Sequence, residues 1–404
     1  MNAAQRSRPA RRHSRGFSLV ELMVASAVGL IVALAVTSAV VSSGRQFSIV
    51  SANATAQNSA QIGLGVMDLA ARNAGSGFYA NAQPICPTWN AFNGTALVSN
   101  GARFMPAQVV DGGGAGASDT IIFTGATGSG AMAGAPVMMN TFGANIQVTN
   151  SGGFAQGDYA VIGAPGSGQP CTLFQVSDAP ATVSACGGNS TQCQLLVRTP
   201  NAGLNPGPVA FATRPTYGFT TGGGAVGPAV VHRVGSVAAG FRQDAFTVQC
   251  GALVRYNAFN TALAPCTASP LAFGAGIEAI AGDIVLMHAQ YGVSSSATSD
   301  VVAQWVDASG ATWGGTPAAD NIRRIKAIRV VVVARSREAD GTAVTATCTN
   351  GAGVANTGPC SFEDADAPVI DLSGIAVPAG RSWQNYRYRV HAAVMPLRSV
   401  IWSD

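Results

Sequence analysis

Charge is scarce in this chain. Only 10% of its 404 residues are Asp, Glu, Lys or Arg, and four are histidine. Five of the 23 basic residues, Arg6, Arg8, Arg11, Arg12 and Arg15, crowd into the first sixteen positions. Beyond them, the 19 acidic side chains slightly outnumber the basic ones, so no basic surface is implied and no nucleic-acid partner is expected. Catalytic signatures are missing too. After residue 16 only His232, His288 and His391 remain, with no G-x-S-x-G or H-E-x-x-H motif. His288 and His391 fall in expected strands, where a histidine is more often a packing residue than a catalyst. The glutamates are Glu21, Glu278, Glu338 and Glu363, too few and too scattered to suggest convergent acid–base groups. No C-x-x-C pair occurs and the histidines lie far from the cysteines, which disfavours zinc. The glycine run between Asp111 and Asp119 lacks the spaced oxygen ligands of a calcium loop. These absences predict a protein that is not an enzyme and holds no cofactor or metal.

What is present is a long apolar run. It extends from Phe17 to Val41 and contains one charge, Glu21. A helix crosses a bilayer with about 20 residues, so this segment suffices. A carboxylate in lipid costs about 2.5–3.5 kcal/mol even on the lenient scale, which marks Glu21 as a functional candidate. The arginine-rich segment before the run orients the N-terminus to the cytoplasm and the body outside. Arg11-Arg12 alone would suit twin-arginine export, but a basic segment before a span explains the pair more simply. A secretory signal peptide is cut after its apolar run. Here the small-to-aromatic junction, Gly16/Phe17, lies before it.

Gly16-Phe17-Ser18-Leu19-Val20-Glu21-Leu22 resembles the prepilin motif of type IV pilins and type II secretion pseudopilins. The resemblance implies that a prepilin peptidase cuts after Gly16 and that Phe17 becomes an N-methylated first residue. It also implies that Glu21 pairs with the N-terminal amine of a neighbouring subunit.

No proline occurs between Pro9 and Pro84, so one helix is expected over about 17–75. Past Ser42, Phe47, Val50, Ala54, Ile62, Val66 and Leu69 recur at helical spacing, as on an amphipathic helix. Gly63 and Gly65 should weaken it locally. Residues 77–270 are rich in Gly, Ala, Ser and Thr, with short strand candidates between turn clusters, and read as a β lobe with long loops. Residues 271–404 are more regular. Gly276–Ala281 is expected as a short helix leading into a strand at Asp283–Gly292. The four valines in Ile328–Ala334 predict a strand buried on both faces and central in its sheet. All eight cysteines (Cys86, Cys171, Cys186, Cys193, Cys250, Cys266, Cys348 and Cys360) follow the span, on its oxidising side, and read as disulfides. Spacing favours the local pairs Cys250–Cys266 and Cys348–Cys360 and leaves the other pairings open. The expected fold class is therefore α+β: a leader over 1–16, a spine helix over 17–76 with its transmembrane part at 17–41, and a disulfide-containing, β-rich periplasmic head.

The last third carries a second resemblance. Gly276-Ile277-Glu278-Ala279-Ile280, Gln290-Tyr291-Gly292-Val293, Ile325-Lys326-Ala327-Ile328-Arg329-Val330, Tyr386-Arg387-Tyr388-Arg389-Val390 and Pro396-Leu397-Arg398 look like the PilW family of minor pilins. Asp68-Leu69-Ala70-Ala71-Arg72-Asn73-Ala74-Gly75 resembles that family's helix end. Where the family often has an acidic loop, Ser294-Ser295-Ser296 stands here, so no cation site carries over. The resemblance implies a minor pilin that primes type IV pilus assembly and sits near the tip. Its partners would be other minor pilins, the major pilin and a large tip adhesin. It would reside in the inner membrane before assembly and in the pilus afterwards. A type II secretion pseudopilin shares the N-terminal motif and is the alternative. A tip module for surfaces, sugars or DNA would be signalled by exposed aromatics or a basic stripe in 80–270, and Trp89, Phe92 and Tyr217 are too scattered to provide one.

The motif predicts processing. Membrane-extracted protein from cells with an active prepilin peptidase should begin at Phe17 by N-terminal sequencing. A Met1-led chain in those cells would contradict it.

Overall fold

A computed structural model describes residues 18–401, except 81–82, 86, 95, 127–133, 139–143, 165–169, 185–192, 208–228, 237–239 and 269. Gly16, Phe17, Cys86, Cys186 and Tyr217 therefore lie outside the described residues. The chain divides into two units, 1–54 and 55–404. A single α-helix, Leu19–Asn73, supplies the described part of the first unit and opens the second. Its membrane-length portion is Leu19–Gly44.

Within the second unit the helix buries Ala60, Met67, Ala71 and, just past its end, Ala74 in the main core. The expected weak point at Gly63 is a contact instead. A Cβ there would come within 2.6 Å of Leu253 Cδ2, so the missing side chain lets the sheet approach. The helix stops where Gly75 takes φ +81°, a left-handed conformation that glycine adopts without strain. Gly75 N then donates to Thr124 O at 2.7 Å. Ser399 Oγ donates to Ala74 O, which ties the C-terminal segment to the same point.

Two antiparallel sheets complete this core. The first runs Ile277–Gly282, Ala252–Asn257, Phe241–Gln249, Thr120–Ala126, Ala107–Val110, so strands from either side of residue 270 share it. The second runs Val302–Asp307, Ile284–Ser294, Ile325–Arg335, Tyr388–Pro396. Ile325–Arg335 is paired on both edges, and all but its last residue are buried. Val330 and Val332 face the helix and the first sheet, whereas Val331 and Val333 face a separate cluster with Ile370, Leu372 and Tyr386. The period-2 alternation of a strand thus feeds two cores at once, as the valine run predicts.

The expected helix at Gly276–Ala281 is a correction. Ile277–Gly282 is a strand paired with Ala252–Asn257. Ile277, Glu278 and Ile280 can be fitted to a helical spacing, but a neighbouring strand with free hydrogen-bonding groups overrides that weak local preference.

The Gly/Ala-rich lobe holds a six-stranded sheet, ordered Ala96–Arg103, Thr88–Asn93, Cys171–Gln175, Tyr159–Gly163, Val230–Gly235, Ala135–Pro136. Its one parallel pairing joins Cys171–Gln175 to Thr88–Asn93. One face packs Val161, Leu173 and Val234 against an aromatic cluster of Phe78, Trp89, Phe104, Phe241 and Phe259. The other face packs Ile162, Phe174 and Val231 with Ile146, Val148 and Leu196. Trp89 and Phe92 are buried and so present no surface.

The helix end offers a test. A Cβ on Gly125 would collide with the Asn73 carbonyl oxygen, whereas one on Gly114 meets nothing within 4 Å. Gly125→Ala should destabilise the full chain by about 1–3 kcal/mol, as overpacking does, and Gly114→Ala should not. Urea unfolding in detergent micelles checks both, and equal midpoints would contradict the close approach.

Candidate functional site

Two regions carry the residues singled out by sequence. At the N-terminus Ser18 caps the long helix. Val20 N donates to Ser18 Oγ at 3.3 Å, and Ser18 N donates to Glu21 Oε2 at 3.1 Å. The three-residue spacing from Ser18 to Glu21 is that of a capping box, which satisfies amides that the first helical turn leaves open. Glu21 is exposed, and its Oε1 has no hydrogen-bond partner among the described residues.

The hydroxyls further along the apolar stretch that appear in side-chain hydrogen bonds turn inward. Ser26 Oγ donates to Met23 O (2.9 Å), Thr37 Oγ1 to Ala33 O (2.8 Å) and Ser38 Oγ to Ala35 O (2.9 Å). Such bonds to the preceding turn let hydroxyls sit in an apolar medium. Meanwhile the large apolar side chains from Leu19 to Val41 are half or more exposed. Lipid or another apolar helix has to cover them.

The second region is the sheet built on Ile325–Arg335. Lys326 and Arg329 are buried charges within a mostly apolar strand that ends on the half-buried Arg335. The Arg329 guanidinium donates to Gln290 Oε1 (2.5 Å), Asp364 Oδ2 (2.8 Å) and the Asp366 carbonyl. It lies between the rings of Trp305 and Phe362, 4.9 and 4.6 Å from their centroids. Gln290 Nε2 in turn donates to Asp307 Oδ1 (2.7 Å). Planarity and delocalisation allow this stacking together with in-plane donation.

The segment Gln290-Tyr291-Gly292-Val293 is explained position by position. Gln290 holds Arg329. The Tyr291 hydroxyl accepts from Val109 N at 2.7 Å, which joins the two sheets. Burial pushes that phenol up to about 12. At Gly292 a Cβ would come within 2.7 Å of the Trp305 ring, so the indole needs the bare backbone.

The loop that follows holds a cation of its own. Lys326 Nζ donates to Ala297 O (3.4 Å) and Val400 O (3.3 Å) and lies 3.3 Å from Asp300 Oδ1. Ser294 Oγ donates to Ser296 O, and Arg324 Nε to Ser294 O. The Lys326 ammonium thus sits on the Ala297 and Val400 carbonyls beside the Ser294-Ser295-Ser296 run.

Among the cysteines, Cys250–Cys266 and Cys348–Cys360 are bonded, and Cys171 and Cys193 are each in a disulfide as well. His288 Nδ1 sits 3.4 Å from Asp119 Oδ2, and His391 belongs to the edge strand Tyr388–Pro396. Asp119 also accepts from the amides of Ala289 and Gly112, which ties the glycine-rich loop to the strand Ile284–Ser294. Among the described residues no group of three or more His, Cys, Asp and Glu is placed to hold a metal ion. Sequence reasoning quoted Arg329 within a motif without giving it a role. The signal was its charge in an apolar run, but its acceptors at 364 and 366 lie too far along the chain to be read.

Replacing Arg329 by Lys keeps the charge and removes the fork and the stacked plane. It should cost about 1.5–3 kcal/mol, the worth of a hydrogen bond to a charged group. A urea midpoint for Arg329→Lys equal to the parent's would contradict the organising role.

Two family models match this chain. Residues 267–399 match the family described as PilW, type IV pilus-assembly protein W, and residues 11–37 match the prokaryotic N-terminal methylation motif. The first match covers the Arg329 sheet and the second the start of the capped helix. No curated protein and no solved structure matches. Together the two matches are those of a PilW-family pilin, and they support a membrane-anchored component with a pilin-like role in type IV pilus assembly.

Proposed function

We propose that the protein is a minor pilin that primes assembly of a type IV pilus and is carried at or near its tip. The reading rests on one observation above all. In a helix where Ser26, Thr37 and Ser38 bond to their own backbone, Glu21 keeps a carboxylate oxygen without a hydrogen-bond partner among the described residues. Before assembly the apolar helix lies in the inner membrane, N-terminus inside. On assembly it exchanges lipid for the apolar helices of other subunits. Lipid tails are as apolar as leucine, so the exchange is nearly neutral and polar pairing decides the register.

Processing at Gly16/Phe17 by the prepilin peptidase would leave an ammonium on Phe17 of each subunit, methylated in place. The unfilled oxygen of Glu21 is a fitting acceptor for a neighbour's ammonium. A carboxylate–ammonium pair in low dielectric depends strongly on geometry and so sets register more than it adds stability. The large body over 55–404 is bulky to repeat along a thin filament, which favours few copies near the tip. The match to the pilus-assembly family over 267–399 favours the pilus over a secretion pseudopilus. The partners this reading requires are other minor pilins, the major pilin and a tip adhesin. It assigns the chain a structural role without catalysis.

Two substitutions separate capping from charge pairing. Glu21→Gln retains a side chain able to complete the capping box but has no charge, and Glu21→Ala has neither. Both should insert and be cleaved normally. Both should fail to enter the filament, because a neighbour's buried ammonium then loses its partner, a cost of about 3–5 kcal/mol. Pilus counts and co-purification with other minor pilins read the result. Wild-type piliation with Glu21→Gln would leave capping as the role of Glu21 and remove charge pairing.

A further inference from the structure

A cleft of about 370 Å³ opens where the first sheet meets the Gly/Ala-rich lobe. At its wall two arginines converge on one acid. Arg242 Nε donates to Asp244 Oδ1 at 3.0 Å and Arg255 Nε donates to the same oxygen at 3.1 Å, with Arg255 Nη2 at 3.0 Å. The Asp244 side chain is buried, while those of Arg242 and Arg255 remain 35% and 27% exposed. One carboxylate thus answers two guanidinium groups beside the cleft, and the Glu278 carboxylate balances the second positive charge.

The polar groups around it are unevenly divided. Among the described residues, neither terminal nitrogen of Arg242 and neither of the hydroxyls of Tyr159 and Tyr256 has a hydrogen-bond partner. Asn257 Oδ1 already accepts from Gln243 N (3.1 Å) and Phe259 N (3.2 Å), so its amide nitrogen is the group left over. The exception is Glu278, opposite Arg255 in the strand register, exposed and in no ion pair among the described residues. Phe241 and Phe259, with the rings of the two tyrosines, give an aromatic wall, and Asn260 and Thr261 add polar lining. Guanidinium, hydroxyl and amide donors face the cleft together with the Glu278 carboxylate and the oxygens of Asn260 and Thr261, and rings complete the enclosure. The volume suits a single sugar unit.

We propose that this cleft binds an acidic sugar residue of a glycan. Its carboxylate takes the unused guanidinium donors in charge-assisted bonds, its other oxygens take the tyrosine and asparagine donors, and Glu278 accepts from a ring hydroxyl. A peptide carboxylate would satisfy the arginines alone and leave the aromatic walls and Glu278 without a role.

Isothermal titration calorimetry on the full mature chain in detergent micelles tests this with sodium D-glucuronate, D-glucose and sodium acetate as probes. Glucuronate should bind saturably with Kd of about 1 mM, more weakly at high salt, with glucose and acetate each at least about tenfold weaker. Arg242→Gln should weaken glucuronate at least about tenfold, the loss expected for charge-assisted hydrogen bonds. Its melting temperature should be unchanged, because Arg255 still pairs with Asp244. Glu278→Gln should lower affinity for glucuronate less than Arg242→Gln does. Absence of saturable glucuronate binding, or undiminished affinity in Arg242→Gln, would overturn the site. Acetate binding as tightly as glucuronate would overturn its assignment to a sugar.

Discussion

The strand Ile325–Arg335 is buried on both faces, and the body of the protein is organised by that constraint. Its alternate side chains have to be covered twice. One set takes the helix end and the first sheet, and the other takes the segment that carries Ile370, Leu372 and Tyr386. Two charges inside such a strand have to be answered within the protein, because unpaired burial is costly. Arg329 is answered by Gln290, Asp364 and the Asp366 carbonyl, and Lys326 by Asp300 and two carbonyls. The covering segment is therefore held by polar anchors as well as apolar contact. The disulfide Cys348–Cys360 closes a loop within that same segment.

The N-terminal helix obeys the opposite rule. Its apolar side chains from Leu19 to Val41 are exposed, and the hydroxyls noted within that stretch bond to their own backbone. Little in it resists a change from one apolar surrounding to another. Glu21 is the exception, since its cap to Ser18 uses one oxygen and leaves the other without a partner among the described residues. The same residue can therefore help start the helix while the protein is alone and engage a neighbour's amine later. Under the proposed pairing, two roles on one carboxylate would account for a glutamate in a segment where charge is expensive.

Much of this was legible in the sequence. The proline-free stretch gave the helix, and the valine run gave the doubly buried central strand. Both signals are local and strong. The strand Ile277–Gly282 was misread because its partner, Ala252–Asn257, is what makes it a strand. In the Gly/Ala-rich lobe most strand candidates were recognisable singly. Their order was not, since it includes a parallel pairing between residues about eighty positions apart. Side-chain clusters fail for the same reason. Arg242 and Asp244 are near neighbours, but Arg255 joins them only across the sheet, and Arg329 meets Asp364 only after an intervening loop. Gly63 reads as a weak point of the helix, yet at Gly63, Gly125 and Gly292 alike something packs against bare backbone.

The central claim is that this chain leaves the membrane and becomes a scarce part of a filament. Quantitative mass spectrometry of pili sheared from cells and washed free of membrane tests it most directly. The account predicts a methylated peptide beginning at Phe17, recovered with peptides from the Arg329 sheet, at a small fraction of the major pilin. Absence of the chain from sheared pili, with the whole population retained in the membrane, would contradict it.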